Sequence, residues 1–111
     1  MNKDELLQRI KERLQGTFRE RLKGVVLYGS EARGEAKGDS DFDLLVLLQG
    51  PLNFGDDLMT IIHVLYPLQL EIVSTDELGE RLIHASPADI ADYEAGEFSF
   101  YRNVRREGKW L

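Results

Sequence analysis

The sequence predicts an α/β (α+β) fold, a small mixed β-sheet with helices mainly on one face. Two observations support this prediction. Short β-type runs, Val25–Tyr28 and Phe42–Leu48, alternate along the chain with stretches whose apolar residues recur at helical spacing. The chain also has 111 residues, enough for a single domain over residues 1–111 with a buried core. Strands that alternate with helices are typical of a sheet covered by those helices.

The first half of the chain carries clear start and stop signals. An amphipathic helix begins near Asp4, and the first strand ends at Gly29-Ser30, before a short helix over Glu31–Ala36. The strand Phe42–Leu48 is followed by a second amphipathic stretch. Asn53 can cap a helix there, and that helix is expected to end before Pro67.

The second half is predicted from weaker signals. Apolar residues alternate over Leu68–Ser74, which predicts a third strand. Asp76 is expected to cap one short helix and Ser86-Pro87 to begin another. A last helix is expected over Phe98–Glu107, and Gly108 provides its C-terminal stop.

The composition excludes several classes of protein. There is no cysteine, so disulfides and thiolate zinc sites are excluded. The N-terminus is charged and no apolar run reaches transmembrane length, which predicts a cytoplasmic protein without membrane contact. Residues 24–97 carry three basic and fifteen acidic side chains, so direct nucleic-acid binding is not expected. A phosphorylated ligand would meet this region through a divalent cation.

Two carboxylates stand at the start of the apolar strand Phe42–Leu48. Asp41 and Asp43 are two residues apart, so on a strand they project from the same face. Two carboxylates so close repel each other unless a cation lies between them, and oxygen ligands of this type suit Mg²⁺. Taken alone, these acids could also be ordinary turn residues before a strand.

Gly29-Ser30 makes the functional interpretation stronger. Glycine permits close approach of the backbone to a phosphate, and the start of the following helix offers free N–H donors. Arg33 is either a solvated helix residue or a further phosphate contact, and the sequence leaves both open. Tyr28 is expected to be a packing residue, and His84 a structural or surface residue.

Glu71 is the candidate for a third acidic ligand, and the alternative is a carboxylate held in a salt bridge at the edge of the sheet. If the third strand pairs beside the second, Glu71 reaches the same edge as Asp41 and Asp43. Three converging acids could then hold two metal ions around a reacting phosphorus. On this basis Glu71→Gln is expected to lower activity and Glu71→Asp to preserve or raise it.

These residues carry a resemblance to a known family. Gly29-Ser30, ten intervening residues and then Asp41-Phe42-Asp43 resemble the signature of the DNA polymerase β-like nucleotidyltransferase superfamily. Within that superfamily, "LYGSEARGEAKGDSDFDLLVLL" is similar to the minimal nucleotidyltransferases (MNT), often encoded beside a HEPN-domain protein as its antitoxin. The resemblance implies a polymerase β-like fold, with Glu71 matching the position of the family's usual third aspartate.

The resemblance also implies an activity. Gly29 and Ser30 would hold the triphosphate of ATP, Asp41 and Asp43 would bind Mg²⁺, and AMP would pass to a tyrosine hydroxyl of a HEPN toxin. The first alternative is a catalytically weak antitoxin that neutralises its partner by binding alone. The second is a small-molecule enzyme of the aminoglycoside nucleotidyltransferase type, although those carry an additional domain. A homo- or hetero-oligomer is possible under each interpretation.

The basic C-terminal segment is the candidate partner surface. Arg102, Arg105 and Arg106 fall on the last predicted helix, where Phe98 and Tyr101 could serve as aromatic anchors. The alternative, at least as well supported by the sequence, is that the aromatics pack in the core and the arginines are solvated.

Overall fold

The fold is that of a computed structural model, which describes residues 1–74, 77–79 and 81–111. The helix expected at Asp76 begins outside the described residues. In chain order the elements are α1 (Lys3–Phe18), a 3-10 turn (Arg19–Arg21), β1 (Leu22–Tyr28), α2 (Gly29–Ala32), β2 (Phe42–Leu48), α3 (Phe54–Val73), β3 (Ile83–Asp89), α4 (Ile90–Ala95), α5 (Ser99–Glu107) and β4 (Lys109–Trp110). None of the helices in this described part has both the length and the apolar character needed to cross a membrane.

The strands form one mixed sheet in the order β3-β2-β1-β4. β1 pairs antiparallel with β2 and with β4, whereas β3 lies parallel to β2. A parallel pair needs a long crossover connection, and α3 lies within the segment that joins β2 to β3. The end of β1 and the starts of β2 and β3 therefore meet at one edge of the sheet.

The side chains of β2 divide the protein into two apolar layers. The even-numbered residues from Phe42 to Leu48 point to one face and pack with buried residues of α1 and α3. Leu45 and Leu47 point to the other face, where they pack with Tyr93 of α4 and Val104 of α5. The two long helices thus cover one face, as predicted, and the two short helices cover part of the other.

Several predicted elements are confirmed at their ends as well as in their type. α1 begins at Lys3, close to the expected Asp4, and β2 has the predicted limits. The side chain of Asn53 accepts the N–H of Asp56 at 3.1 Å and so caps α3. α5 ends at Glu107, directly before Gly108.

The predicted third strand over Leu68–Ser74 is wrong. This stretch continues α3, with Ser74 as its C-terminal cap, and Pro67 lies inside the helix. Leu68 and Ile72 follow Leu65 at helical spacing, and both are fully buried. The apolar residues of the apparent alternation therefore belong to a helical face. The free energy gained by burying that face outweighs the loss of the one backbone hydrogen bond that Pro67 cannot donate.

The predicted helix at Ser86-Pro87 is also wrong, because both residues belong to β3. Pro87 pairs in register with Val46 of β2. β3 is an edge strand of the described sheet, where a residue without an N–H is tolerated. The helix α4 begins at Ile90, three residues after Pro87. Its cap is Asp89, whose side chain accepts the N–H of Ala91 at 2.9 Å.

Candidate active site

Two carboxylates lie at the edge of the sheet where β1 ends and β2 begins. Asp41 directly precedes β2, and Asp43 is the second residue of that strand. Asp43 stands in register with Tyr28 of β1 on one side and with His84 of β3 on the other. Because side chains alternate along a strand, Asp43 projects on the α5 side of the sheet, opposite the face covered by α1 and α3.

The turn at Gly29-Ser30, which we call the Gly-Ser turn, packs directly against Asp43. Gly29 has a φ of +74°, and a Cβ built on it would clash with Oδ2 of Asp43. Only glycine satisfies both the positive φ and this close approach. Ser30 follows in α2, which spans Gly29–Ala32 and is thus earlier and shorter than predicted. The structure therefore brings Gly29, Ser30 and Asp43 together, as the sequence predicted.

Burial raises the pKa of Asp43 above its ordinary value, and the nearby carboxylate of Asp41 raises it further. His84 and Arg33 act in the opposite direction through their charges, but they do not cancel the effect of burial. A carboxylate under these conditions gains from any added cation. The electrostatics of the site thus favour a positively charged ligand beside Asp43.

His84 lies beside the acidic pair, although the sequence did not predict this position. Its Nε2 lies 3.3 Å from Oδ2 of Asp41, and its backbone is in register with Asp43. The sequence suggested only a structural or surface histidine, because it placed His84 near a helix end, without partners at the spacing of metal ligands. An edge strand over Ile83–Asp89 would have aligned His84 with the acidic pair.

Glu71 does not lie where the sequence analysis placed it. It belongs to α3 rather than to a strand beside β2, and α3 covers the face of the sheet opposite Asp43. Both of its carboxylate oxygens accept from Arg9 of α1, at 2.9 and 2.8 Å, and these hydrogen bonds are the largest cause of its lowered pKa. The structural basis for a third ligand at this residue is therefore wrong.

This position of Glu71 reverses the expectation for its variants. We predict that Glu71→Gln leaves unchanged both divalent-ion binding and the rate of the nucleotidyl transfer that the resemblance implies. The melting temperature should change little, because exposed ion pairs contribute little to stability. Parallel rate assays and isothermal titration of the variant test this, and a clear drop in rate or ion affinity would restore Glu71 as a ligand.

Arg33 lies near the acidic pair but has other partners. Its Nε is 3.2 Å from Oε2 of Glu35, and its Nη1 is 3.3 Å from Oε1 of Glu107. Its charge nevertheless lowers the pKa of Asp43, so it is close enough to act on the site. An exposed side chain with such pairs can be released to bind a phosphate.

Comparison with known proteins decides the family. Residues 3–108 match the family model described as a nucleotidyltransferase domain. The chain belongs to the nucleotidyltransferase-domain family. It is also 30% identical over 112 residues to a protein of Methanocaldococcus jannaschii named as a "putative protein adenylyltransferase", with 100% of this chain and 99% of that protein aligned. The mixed sheet, with its Gly-Ser turn beside Asp41 and Asp43, fits the polymerase β-like nucleotidyltransferase fold.

A buried ion pair between Glu31 and Arg81 packs next to the nucleotidyltransferase motif. Arg81, just before β3, donates from Nη2 to Oε2 of Glu31 at 2.7 Å, and Nζ of Lys3 lies 2.9 Å from Oε1 of Glu31. The side chains of Glu31 and Arg81 are only 4% and 9% exposed. Burial raises the pKa of Glu31, but hydrogen bonds from Lys3 and Arg81 outweigh burial and hold the pKa below its ordinary value.

Arg81 also contacts the segment Asp41–Asp43, which we call the Asp-x-Asp segment. Its Nε donates to the carbonyl oxygen of Ser40 at 2.5 Å, and its guanidinium lies 3.8 Å from the ring centroid of Phe42. Glu31 directly follows the Gly-Ser turn, and Ser40 directly precedes the Asp-x-Asp segment. Arg81 therefore joins the two parts of the nucleotidyltransferase motif. This pair could not be predicted from the sequence, because no local pattern relates residues 50 positions apart.

Proposed function

We propose that this nucleotidyltransferase transfers AMP from ATP to a hydroxyl group of a partner protein. The observation that carries the proposal is the close packing of Gly29 against the carboxylate of Asp43. This packing places a turn that can bind phosphate next to the acidic pair, at one edge of the sheet. The relative named as a putative protein adenylyltransferase supports both AMP as the transferred group and a protein as the acceptor.

The Gly-Ser turn is proposed to hold the triphosphate. Gly29 allows the backbone to approach phosphate oxygens closely, and the N–H groups and hydroxyl at Ser30 supply donors for them. Arg33 would leave its exposed partners, Glu35 and Glu107, to bind a phosphate oxygen. These contacts would orient the α-phosphorus toward the acceptor.

The donor set at the sheet edge fits Mg²⁺. Asp41 and Asp43 offer hard carboxylate oxygens, and Mg²⁺ is commonly bound by one or two carboxylates together with water and substrate phosphates. Within residues 1–74, 77–79 and 81–111, no group of three His, Asp or Glu side chains is arranged to hold a metal ion. The expectation of two ions depended on Glu71, so the proposal keeps one Mg²⁺ that binds with the triphosphate. That ion supplies neutralisation of the developing charge on the phosphates.

The proposed transfer is a single displacement at phosphorus. The acceptor oxygen forms a bond to the α-phosphorus, the bond from that phosphorus to the oxygen of pyrophosphate breaks, and pyrophosphate leaves with the bonding electrons. One carboxylate of the pair can take up the proton of the acceptor hydroxyl, so that the displacement leaves no charge on the new bridging oxygen.

A tyrosine of a HEPN toxin is the proposed acceptor, so that transfer silences the toxin and the protein acts as an antitoxin. The similarity of Leu27–Leu48 to the minimal nucleotidyltransferases supports this partner. An aromatic surface adjoins the site: the ring of Phe100 lies 5.3 Å from that of Tyr28, and Phe98 lies 5.4 Å from Tyr101. Phe98 and Phe100 are about half exposed, so they can anchor a partner beside Asp43.

The arginines of α5 provide a test of that partner surface. Arg105 and Arg106 are exposed, and Arg105 donates to the carbonyl oxygen of Glu94 at 2.9 Å. We predict that Arg105→Glu combined with Arg106→Glu weakens toxin binding and reduces its dependence on salt. Affinities measured by titration at low and high salt check this prediction. Unchanged affinity and salt dependence would exclude α5 as the interface.

The proposed function is tested by intact-mass analysis of the proposed partner, a HEPN toxin. After incubation with this chain and Mg-ATP, the toxin should gain the mass of one adenylyl group, and tryptic mapping should place that group on a tyrosine. Pyrophosphate release should match the amount of modified toxin. The matched control is the same mixture with the chain carrying Asp41→Asn and Asp43→Asn.

The same experiment separates the alternatives. Loss of toxin ribonuclease activity without a change in toxin mass would favour an antitoxin that acts by binding alone. Transfer of AMP to an aminoglycoside with no transfer to the toxin would favour the small-molecule enzyme. Either result would overturn a protein acceptor.

A further inference from the structure

The outer side of α3 is apolar along most of its length. Five side chains on this side are 45–57% exposed and recur every three or four residues: Met59, Ile62, Tyr66, Leu70 and Val73. We call these five residues the α3 stripe. The opposite side of α3 is the one buried in the core. A surface helix normally carries polar residues opposite its buried face, whereas a helix that is apolar all round is typical of a covered element.

We propose that the α3 stripe binds a second copy of this chain, with the two α3 helices antiparallel about a two-fold axis at Tyr66. The stripe has intervals of three, four, four and three residues, which are the same in either direction along the helix. In an antiparallel pair centred on Tyr66, Ile62 therefore lies level with Leu70 of the other copy, and Met59 lies level with Val73. A symmetric dimer requires this kind of self-complementary surface.

The charge distribution permits this contact. The protein has a net charge of −6, so two copies repel each other in general. Leu58–Leu70 contains no Asp, Glu, Lys or Arg, and His63 is the single titratable side chain of this stretch apart from Tyr66. The centre of α3 is thus a surface on which two identical acidic chains can meet without bringing like charges together.

The size of the surface also fits a dimer. The stripe exposes an apolar patch on the order of 500 Å², and patches of this size on a monomer often mark interaction sites. Two copies would bury roughly 1,000 Å² together, about the lower limit for a specific interface. A groove of about 160 Å³ beside the stripe, bordered by Leu65, Ile83 and Ala85, can accept side chains of the other copy.

The proposed interface lies away from the nucleotidyltransferase motif. α3 covers the face of the sheet that carries Phe42 and Leu44, whereas Asp43 projects on the opposite face. A dimer through α3 would leave both motifs and both α5 helices accessible. The inference is thus independent of the proposed acceptor, and variants in the stripe should dissociate the dimer without altering nucleotidyl transfer.

The first test is the mass of the full chain in solution. Sedimentation velocity and light scattering should give twice the monomer mass of 12.7 kDa at the upper end of a micromolar concentration series. Tyr66→Glu places two negative charges together on the two-fold axis and should return the chain to a monomer. Phe98→Glu is the matched control, because it also replaces an exposed aromatic by a carboxylate but lies next to α5, and it should remain a dimer.

The second test fixes the register. The chain has no cysteine, so a single introduced thiol reports on one position. Tyr66→Cys should form a disulfide-linked dimer on mild oxidation, because this position faces itself. Met59→Cys should not, since its equivalent lies 14 residues farther along the pair, about 21 Å away. A mixture of Met59→Cys and Val73→Cys chains should link again.

Three results would overturn the proposal. The first is a monomer at every concentration, and the second is a dimer that Phe98→Glu dissociates and Tyr66→Glu does not. The third is efficient linkage of Met59→Cys to itself with none at Tyr66→Cys. Circular dichroism spectra of each variant ensure that a change of mass is not a consequence of unfolding.

Discussion

Replacing both Asp41 and Asp43 with asparagine abolishes Mg-dependent nucleotidyl transfer and leaves the protein folded, with a melting temperature equal to or above that of the natural chain. The loss of transfer is expected because both proposed charged ligands for Mg²⁺ are removed. The retained fold follows from the electrostatics of the metal-free protein. Burial and the neighbouring Asp41 raise the pKa of Asp43, which means that its charged form is less favourable in the folded chain than in the unfolded one.

The raised pKa of Asp43 makes the stability of the folded protein depend on pH. A folded-state pKa above the unfolded value makes the folded protein bind more protons, so stability falls as pH rises between the two values. At higher pH the penalty of the charged Asp43 is fully present, and the asparagine variant gains most there. Below the ordinary value of 3.8 the carboxyl is protonated in both states and the gain disappears. Thermal melts of Asp43→Asn and the natural chain, without metal and across this pH range, measure the difference.

Asp39→Asn is the matched control for this prediction. Asp39 is exposed and lies two residues before Asp41, so its replacement removes one charge from the same loop without removing a proposed ligand. It should transfer AMP at the natural rate. Collapse of the Asp41→Asn and Asp43→Asn double variant, or equal loss of activity at Asp39, would argue against a metal role for the pair.

The arrangement of Gly29, Asp41 and Asp43 could be predicted from the sequence, because it depends on local features. Phe42–Leu48 is apolar enough to be a buried strand, and Asp41 and Asp43 follow its alternation directly. Gly29 ends a β-type run, and its packing on Asp43 needs only that the two strands be neighbours. Each of these conclusions depends on residues close together in the chain, where periodicity and turn chemistry are informative.

The third strand could not be found in the same way. Leu68, Leu70 and Ile72 fit a strand by their alternation, but Leu68 and Ile72 also fit the buried side of a helix that began at Phe54. Pro67 appeared to end that helix, because it cannot donate a hydrogen bond to the carbonyl oxygen of His63. Both residues are exposed, so water can donate to that oxygen instead. The true strand, Ile83–Asp89, contains a proline that only an edge position tolerates, and edge positions are a property of the assembled sheet.

Arg81→Met should cause the largest loss of stability among single replacements near the site. Glu31 would stay buried, and of its two ion-pair partners it would keep Lys3 and lose Arg81. Removing one partner of a buried ion pair commonly costs about 3–5 kcal/mol, because the charge that is left in the interior loses its compensation, and here Lys3 keeps part of it. Denaturant titrations should show this decrease in the free energy of unfolding. A loss comparable with that of an exposed control, Arg106→Met, would contradict the burial of the pair.

A double variant separates stability from positioning. Arg81→Met combined with Glu31→Gln removes both charges, so most of the lost stability should return, since an uncharged pair no longer requires compensation. Transfer activity should remain low, because the link from the Gly-Ser turn to the carbonyl oxygen of Ser40 is still absent. A displacement of about 1 Å between Ser30 and Asp41 would reduce the rate on the order of 100-fold.

The expected loss is in the maximal rate at saturating Mg-ATP, with a smaller change in the apparent affinity for ATP. Arg81→Lys should recover part of the stability but little of the rate, because a single ammonium group lacks the fork that reaches Glu31 and Ser40 together. If the double variant regains stability and transfers AMP at the natural rate, then Arg81 serves only to compensate Glu31. If it is stable and slow, Arg81 sets the distance between the turn proposed to hold the triphosphate and the carboxylates proposed to bind Mg²⁺.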